Sequence, residues 1–477
     1  MTLFSSSFAL TGSFLTDALP VIWPLVALLA AAAVYFQALR KWSRQLDVFE
    51  LGVFYALLVI LYAVFPFVDY MLGDLSFSPF SDSRLFQAQP SPKELAPIFW
   101  YYFLYFGAFA LCYARLRGAR NREALKARLP PRYTLPALIA SLLLIKGFFL
   151  FITFMYGLGT PETYADSYLM YQGLPRLLQQ ILNHLSGISF TCEILIMALL
   201  SGNFRKYKYW ICGWILMEFV SIFVGGIGSR TGLLVLLMSA AACHHFTVKR
   251  FSVRTAFAVG LSVLLLFVAL GVVRDLAVID SEAGLNPFGY GNEFETLFAN
   301  AYDISQLKAS GETKGVFPYF YFGDVLNLIP QQLLPFKKID TAAVYVNTFY
   351  PVFAESGGGL AFGAITESIL GLGWVDAVWR GAAIGIIFAW LHRRFARNRQ
   401  TIWSYGFYLW VLIFAYQCFR GTTFALVPRA FYQFFFVFVS MRVVGWFLVL
   451  FGSGKAYSMR HLAHGTHNSA IAPGATT

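Results

Sequence analysis

The sequence predicts an all-α polytopic membrane protein of about eleven transmembrane helices with one large extramembrane loop. Three observations predict it. Of 477 residues, 58% are hydrophobic and only 13% are charged, about half the charge of a soluble domain. Apolar runs of roughly twenty residues recur, the length that crosses a bilayer. The runs are continuous rather than alternating, which selects helices over a barrel, the other structure that satisfies its backbone in lipid. The 50 Phe and 26 Tyr suit many lipid-facing surfaces and two aromatic belts.

In chain order the expected spans fall near 18–39, 48–70, 96–114, 135–157, 178–200, 209–226, 231–246, 255–273, 358–391, 401–419 and 430–452. The ninth is too long for a simple helix. It reads as a short re-entrant helix from about Leu360, followed by a span from Trp374 onward. The domain plan is therefore spans one to eight over 1–274, a large loop over 275–357, a re-entrant segment and spans nine to eleven over 358–452, and a tail over 453–477.

Loop charge sets the expected orientation. "RKWSR" (40–44), "RLRGARNREALKARLPPR" (115–132), "FRKYK" (204–208), "VKRFSVR" (248–254) and "HRRFARNR" (392–399) all fall on one side. Cytoplasmic loops carry such cations, so the N-terminus is expected outside and the C-terminus inside. The same rule absorbs the net charge of +12, and no nucleic-acid partner is called for. No cleavable signal is evident, because "MTLFSSSFALTGSFLTD" lacks a positive leader. The five cysteines (112, 192, 212, 243 and 418) lie in or at the ends of apolar spans and read as small hydrophobes. The tail's His461, His464 and His467 lack a metal-site setting, so no metal is expected. No internal repeat is visible, which weighs against inverted-repeat transporters.

Two groups of charges need a reason. The first is expected at the outer face. Arg230 lies in the break "GGIGSRTGLL" between spans six and seven, Arg274 ends span eight, Arg420 ends span ten and Arg429 opens span eleven. An arginine at mid-helix costs about 2.5–3.5 kcal/mol on insertion scales. One such residue can snorkel to headgroups. Four beside Gly or Pro breaks favour an anion site, and the planar guanidinium fork suits a diphosphate. The second group lies within spans: Lys146, Glu193, Glu218 and the pair Asp376/Arg380. Asp376 and Arg380 share a helix face at i,i+4, and Lys146 could pair with Glu193 or Glu218. These read as ion pairs locking the bundle, with a proton relay as the sharper alternative.

Carboxylates on the outer side are candidate general bases. Glu355 precedes three glycines, and Glu367 follows on a semi-apolar segment where desolvation would make it a useful base. Asp275, Glu293, Glu295 and Asp303 are further candidates, each more readily a solvated loop carboxylate.

The segment "GGIGSRTGLLVLL" resembles the Gly-Ser-Arg-x-Gly turn of bacterial O-antigen and oligosaccharide repeat-unit polymerases of the Wzy type. "GGGLAFGAITESILGLGWVDAVWRGAAIGIIFAWL" resembles the segment after their large periplasmic loop, and Arg420 matches the arginine closing their next helix. The resemblance covers the C-terminal half from Gly225 onward and departs at "GLGWVD", where many relatives carry a polar residue before the glycine. It implies a GT-C-like glycosyltransferase of the bacterial inner membrane that needs no metal and no nucleotide sugar. The implied donor and acceptor are undecaprenyl-diphosphate-linked glycans, among membrane lipids, and a chain-length regulator is a candidate partner.

On this reading Arg230, Arg274, Arg420 and Arg429 bind the leaving diphosphate. Glu367 or Glu355 is the base. Asp303, Tyr319, Tyr321 and Tyr350, with Phe320, line the glycan cleft. An O-antigen ligase shares the architecture and the arginine use and differs only in its acceptor, a lipid A core instead of a repeat unit. A transporter or flippase of an anionic lipid or solute would instead make Lys146, Glu193 and Glu218 essential.

Overall fold

A computed structural model describes residues 12–43, 46–72, 90–118, 134–157, 173–224, 231–263, 293–311, 361–397 and 401–451, with residue 265 and short pieces at 326, 328–329, 333–336, 345–347 and 351. Among the described residues every regular element is a helix. In chain order they are α1 (Gly12–Ser43), α2 (Leu51–Leu72), α3 (Pro92–Leu116), α4 (Thr134–Met155), α5 (Arg176–Ser201), α6 (Phe204–Val224) and α7 (Thr231–Thr247). After these come α8 (Val253–Val263), α9 (Glu293–Ser310), α10 (Ala364–Leu370), α11 (Trp374–Arg397), α12 (Ile402–Phe414), α13 (Gln417–Arg420) and α14 (Leu426–Phe451).

Seven stretches are long and apolar enough to cross a membrane: Ala18–Lys41, Leu51–Val68, Pro92–Leu116, Thr134–Ile152, His184–Ser201, Trp374–Arg397 and Leu426–Phe447. Among the described residues the chain is thus all-helical and of multi-pass membrane type. Helices α6, α7, α8 and α12 occupy the other four expected places. At 17 and 13 residues, α7 and α12 fall short of the roughly twenty needed at 1.5 Å per residue. Helix α6 has the length but opens with Arg205, Lys206 and Lys208.

Local sequence explains two helix starts. Helix α3 starts with Pro92 at a first-turn position, where a missing N–H costs nothing. Glu94 reaches back to accept from the Ser91 amide at 2.7 Å, the return bond of a capping box. Thr401 caps α12 by accepting from the Ser404 amide at 3.3 Å.

The centre of the bundle is the pair α3 and α11, with α1 along the other side of α3. Gly381 and Gly385 make the close approach possible. A Cβ on Gly381 would collide with the Tyr105 carbonyl, and one on Gly385 would lie 2.6 Å from the Phe109 carbonyl. This small-xxx-small contact replaces the hydrophobic driving force that is missing between helices in lipid. Around it lies an aromatic core in which Tyr55 packs on Phe109 and Phe388, and Phe419 packs on Tyr62, Tyr102 and Tyr105. Large apolar residues face outward instead, among them Leu150, Phe154, Phe257, Phe431 and Trp446, as a lipid-facing surface requires. Helix α14 is the extreme case, with 6% of its apolar window buried.

Candidate active site

A buried charge centre among α10, α11 and the turn before α14 is built from a helix break. Helix α10 has seven residues, all buried. It is bracketed by Gly363 at φ +90° and Gly373 at φ +69°, a backbone region that favours glycine. Its C-terminal carbonyls would be orphaned in an apolar setting. Lys308 of α9 supplies the partner, donating from Nζ to the carbonyls of Ile369 and Gly371. The chain then turns through 371–373 and resumes as α11.

This break brings Glu367 of α10 against Arg380 of α11. Arg380 Nη1 lies 2.7 Å from Glu367 Oε2, and its Nε lies 2.8 Å from Asp376 Oδ2. All three side chains are buried to 2% exposure or less. The Trp379 indole donates to Asp376 Oδ1 at 2.7 Å. Thr423, in the turn between α13 and α14, completes the centre. Its amide and hydroxyl both donate to Glu367 Oε2, at 2.9 and 2.7 Å, and Arg380 Nη1 donates to its Oγ1 at 3.0 Å. A buried ion pair holds its desolvation cost down only when further hydrogen bonds satisfy it, and here they do.

The sequence placed Glu367 among catalytic carboxylates and Asp376/Arg380 among structural charges. The structure joins them in one cluster whose result is a pinned turn. Arg420 closes α13 just before Thr423 and is half-buried, and Arg429 lies in the first turn of α14 and is exposed. Arg230, Arg274, Glu355, Tyr319, Tyr321 and Tyr350 lie outside the described residues.

Asp303 is fully buried on α9, which packs on α10. The Tyr345 hydroxyl donates to its Oδ2 at 2.8 Å and lies 3.2 Å from Asn300 Oδ1. Asn300 in turn donates to the Ala361 carbonyl, fastening α9 to the strand of chain that enters α10. Burial pushes the Asp303 carboxyl up to about 7, opposed by the Tyr345 hydrogen bond. That value suits a proton acceptor near neutral pH. Lys308, on the same helix, is pushed down by partial burial and held up by the Asp376 charge.

The other charges within spans form a second cluster. Lys146 of α4 reaches both carboxylates, Glu193 Oε1 of α5 at 2.9 Å and Glu218 Oε2 of α6 at 3.3 Å. Glu218 also fills the space beside Gly232 of α7, where a Cβ would collide with its carboxylate. Four helices therefore meet at this trio.

A third cluster lies outside the charges that the sequence singles out. In the α1–α2 turn, Asp47 meets His245 at 2.8 Å and Glu50 meets Arg117 at 3.2 Å. Tyr113 donates to Glu50 at 3.0 Å, and Tyr408 lies 3.2 Å from His392 Nδ1 while accepting from the Leu51 amide. The signal was present: two carboxylates, Asp47 and Glu50, sit among the cations of the basic loops. His392 lies twelve residues beyond Arg380, about 18 Å along α11. The two clusters thus clamp opposite ends of that helix.

Comparison with known proteins finds no matching family, curated protein or solved structure.

Proposed function

We propose that this protein polymerises undecaprenyl-diphosphate-linked oligosaccharide repeat units at the periplasmic face of a bacterial inner membrane, toward O-antigen, capsule or exopolysaccharide. The observation that supports it best is the pinned turn. Glu367, Arg380 and Thr423 fix the short segment that carries Arg420 on one side and Arg429 on the other, at the root of a membrane-length helix. Phosphate recognition at a membrane surface asks for guanidinium groups held in place before the charge develops.

In the reaction an acceptor hydroxyl attacks the anomeric carbon of the donor glycan. The bond from that carbon to the diphosphate oxygen breaks, and the lipid diphosphate leaves with the electron pair. Arg420 and Arg429, with Arg230 and Arg274, stabilise that charge. The hydroxyl proton passes to a carboxylate, with Asp303 and Glu355 as the candidates. Glu367 works as a positioning residue, acting on the turn through Thr423. Tyr319, Tyr321 and Tyr350 flank the glycan. The N-terminus lies in the periplasm and the C-terminus in the cytoplasm, following the loop charges.

The test is purified protein in proteoliposomes supplied with lipid-linked repeat units. A ladder of polymer is expected from the wild type, and single repeats from Arg420→Ala and Arg230→Ala. Transfer to a lipid A core acceptor, with no ladder, would reassign the protein as a ligase.

The Lys146, Glu193 and Glu218 trio supports a second reading, a transporter or flippase of an anionic lipid or solute, because charges buried across helices commonly mark transport pathways. Under that reading the same proteoliposomes move substrate across the bilayer and make no polymer.

A further inference from the structure

At the end of α11 opposite the candidate active site lies a cavity of about 300 Å³ lined by Trp390, Arg393, Arg394 and Arg397. We infer that it is a binding site for the headgroup of an anionic phospholipid carrying two phosphates.

Four observations support this. First, the spacing of two tryptophans puts the cavity at headgroup level. Trp374 and Trp390 are both part-exposed on α11, sixteen residues and about 24 Å apart along the helix. That separation approaches the thickness of a bilayer's apolar core, whose edges tryptophans favour. The three arginines follow Trp390 within two turns and so stand just beyond the apolar layer.

Second, the charge is concentrated. Three guanidinium groups share one small cavity, and none of them is in an ion pair with a described carboxylate. Three adjacent cations call for an anion of more than one charge, and guanidinium forks bind phosphate oxygens in pairs.

Third, the cavity has built walls. Arg394 lies over the Trp390 ring, 5.6 Å from its centroid, a cation–π contact that holds the guanidinium at the cavity wall. The Arg393 stem lies against Gly118 at the end of α3, where an added Cβ would come within 3.0–3.1 Å of it. Arg393 therefore has a fixed seat between two helices, unlike an ordinary snorkelling side chain. Fourth, exposed apolar residues, including Ile386 and Trp390, lead up to the cavity on α11, which suits acyl chains lying below a bound headgroup.

The site is independent of the proposed polymerase chemistry, and its test needs no activity. Full-length protein in detergent is delipidated and then incubated with diphosphatidylglycerol, phosphatidylglycerol, phosphatidylethanolamine or inorganic pyrophosphate. Retained lipid is read by native mass spectrometry. The wild type is expected to keep diphosphatidylglycerol at least tenfold better than phosphatidylethanolamine. Arg394→Gln/Arg397→Gln is expected to lose that preference with an unchanged melting temperature. Arg40→Gln/Lys41→Gln, which removes two exposed cations from the end of α1, is expected to keep it. Equal loss in both double variants would show general charge adsorption and overturn the site. So would retention that ignores headgroup charge, or binding of pyrophosphate with no lipid retained. If the α11 double variant melts early, Trp390→Leu serves in its place. It must lower the preference too, and an unchanged preference overturns the proposal.

Discussion

Glu367 and Arg380 sit on opposite sides of a helix break and meet at 2.7 Å, with Thr423 bonded to both. That contact ties α10, α11 and the turn before α14 into one body. The turn's shape therefore depends on a carboxylate 56 residues away from it.

Removing the carboxylate should show this. Glu367→Ala leaves Arg380 buried with one partner fewer, and breaking a buried pair costs about 3–5 kcal/mol. A clear fall in melting temperature is expected in detergent. An unchanged melting temperature would mean that the pair does not hold the turn.

Thr423 allows a gentler probe. Thr423→Val keeps the volume and removes a hydroxyl that bonds Glu367 and Arg380, at a cost of about 1–3 kcal/mol. Thr423→Ser keeps the hydroxyl and should remain near wild type in stability and in polymer length. If valine and serine variants behave alike, the hydroxyl is irrelevant.

The Asp303 carboxyl, raised to about 7 from an ordinary value of 3.8, predicts two pH effects. Between these values the folded protein holds a proton that the unfolded chain has released, so stability falls as pH rises from about 4 to 7 and levels off above. Asp303→Asn should flatten that decline in denaturation measured against pH. If Asp303 is also the base, kcat/KM rises as pH passes through about 7, and that limb vanishes in the asparagine variant. A limb that survives points to Glu355.

For the trio at α4 to α6, Lys146→Ala removes the cation that both carboxylates share and should destabilise the fold. Glu193→Gln and Glu218→Gln keep hydrogen-bonding shape, so under the proposed polymerase function polymer output should stay within a few-fold of wild type. Abolished function in a stably folded glutamine variant would favour the transporter reading instead.

Gly381→Ala pushes a methyl group into the Tyr105 carbonyl. Overpacking of this kind costs about 1–3 kcal/mol. Gly445→Ala, on outward-facing α14 with open space around it, is the control and should be neutral. Equal melting temperatures for the two variants would rule out a tight α3–α11 contact.

Much of the helical plan was readable in the sequence, because twenty-residue apolar runs carry their own signal. The divide ahead of Trp374 is readable too, since the ninth apolar run is too long for a single helix. The i,i+4 spacing put Asp376 and Arg380 on one face. Spacing carries no information about a partner across a turn, so sequence alone groups Glu367 with catalytic carboxylates and gives no reason to single out Thr423. The Asp47 and Glu50 cluster was hidden for a similar reason: its partners, Arg117, His245, His392 and Tyr408, come from four other helices. Asp303 read as one loop carboxylate among several, because its burial is made by Tyr345 and by α10, both distant in sequence.

Helix α14 has an unequal grip on the bundle. Near its start, Tyr432 donates to the Leu328 carbonyl, Gln433 accepts from Thr191 and Trp410, and Phe434 packs on Phe407. Further along, Val443, Trp446 and Phe447 face outward. Mechanically this is a cantilever rooted at the Thr423 turn. Spin labels at Val443 should report more motion than labels beside Gln433. The far half of α14 can then bend within the lipid while the Glu367–Arg380 centre at its root stays fixed.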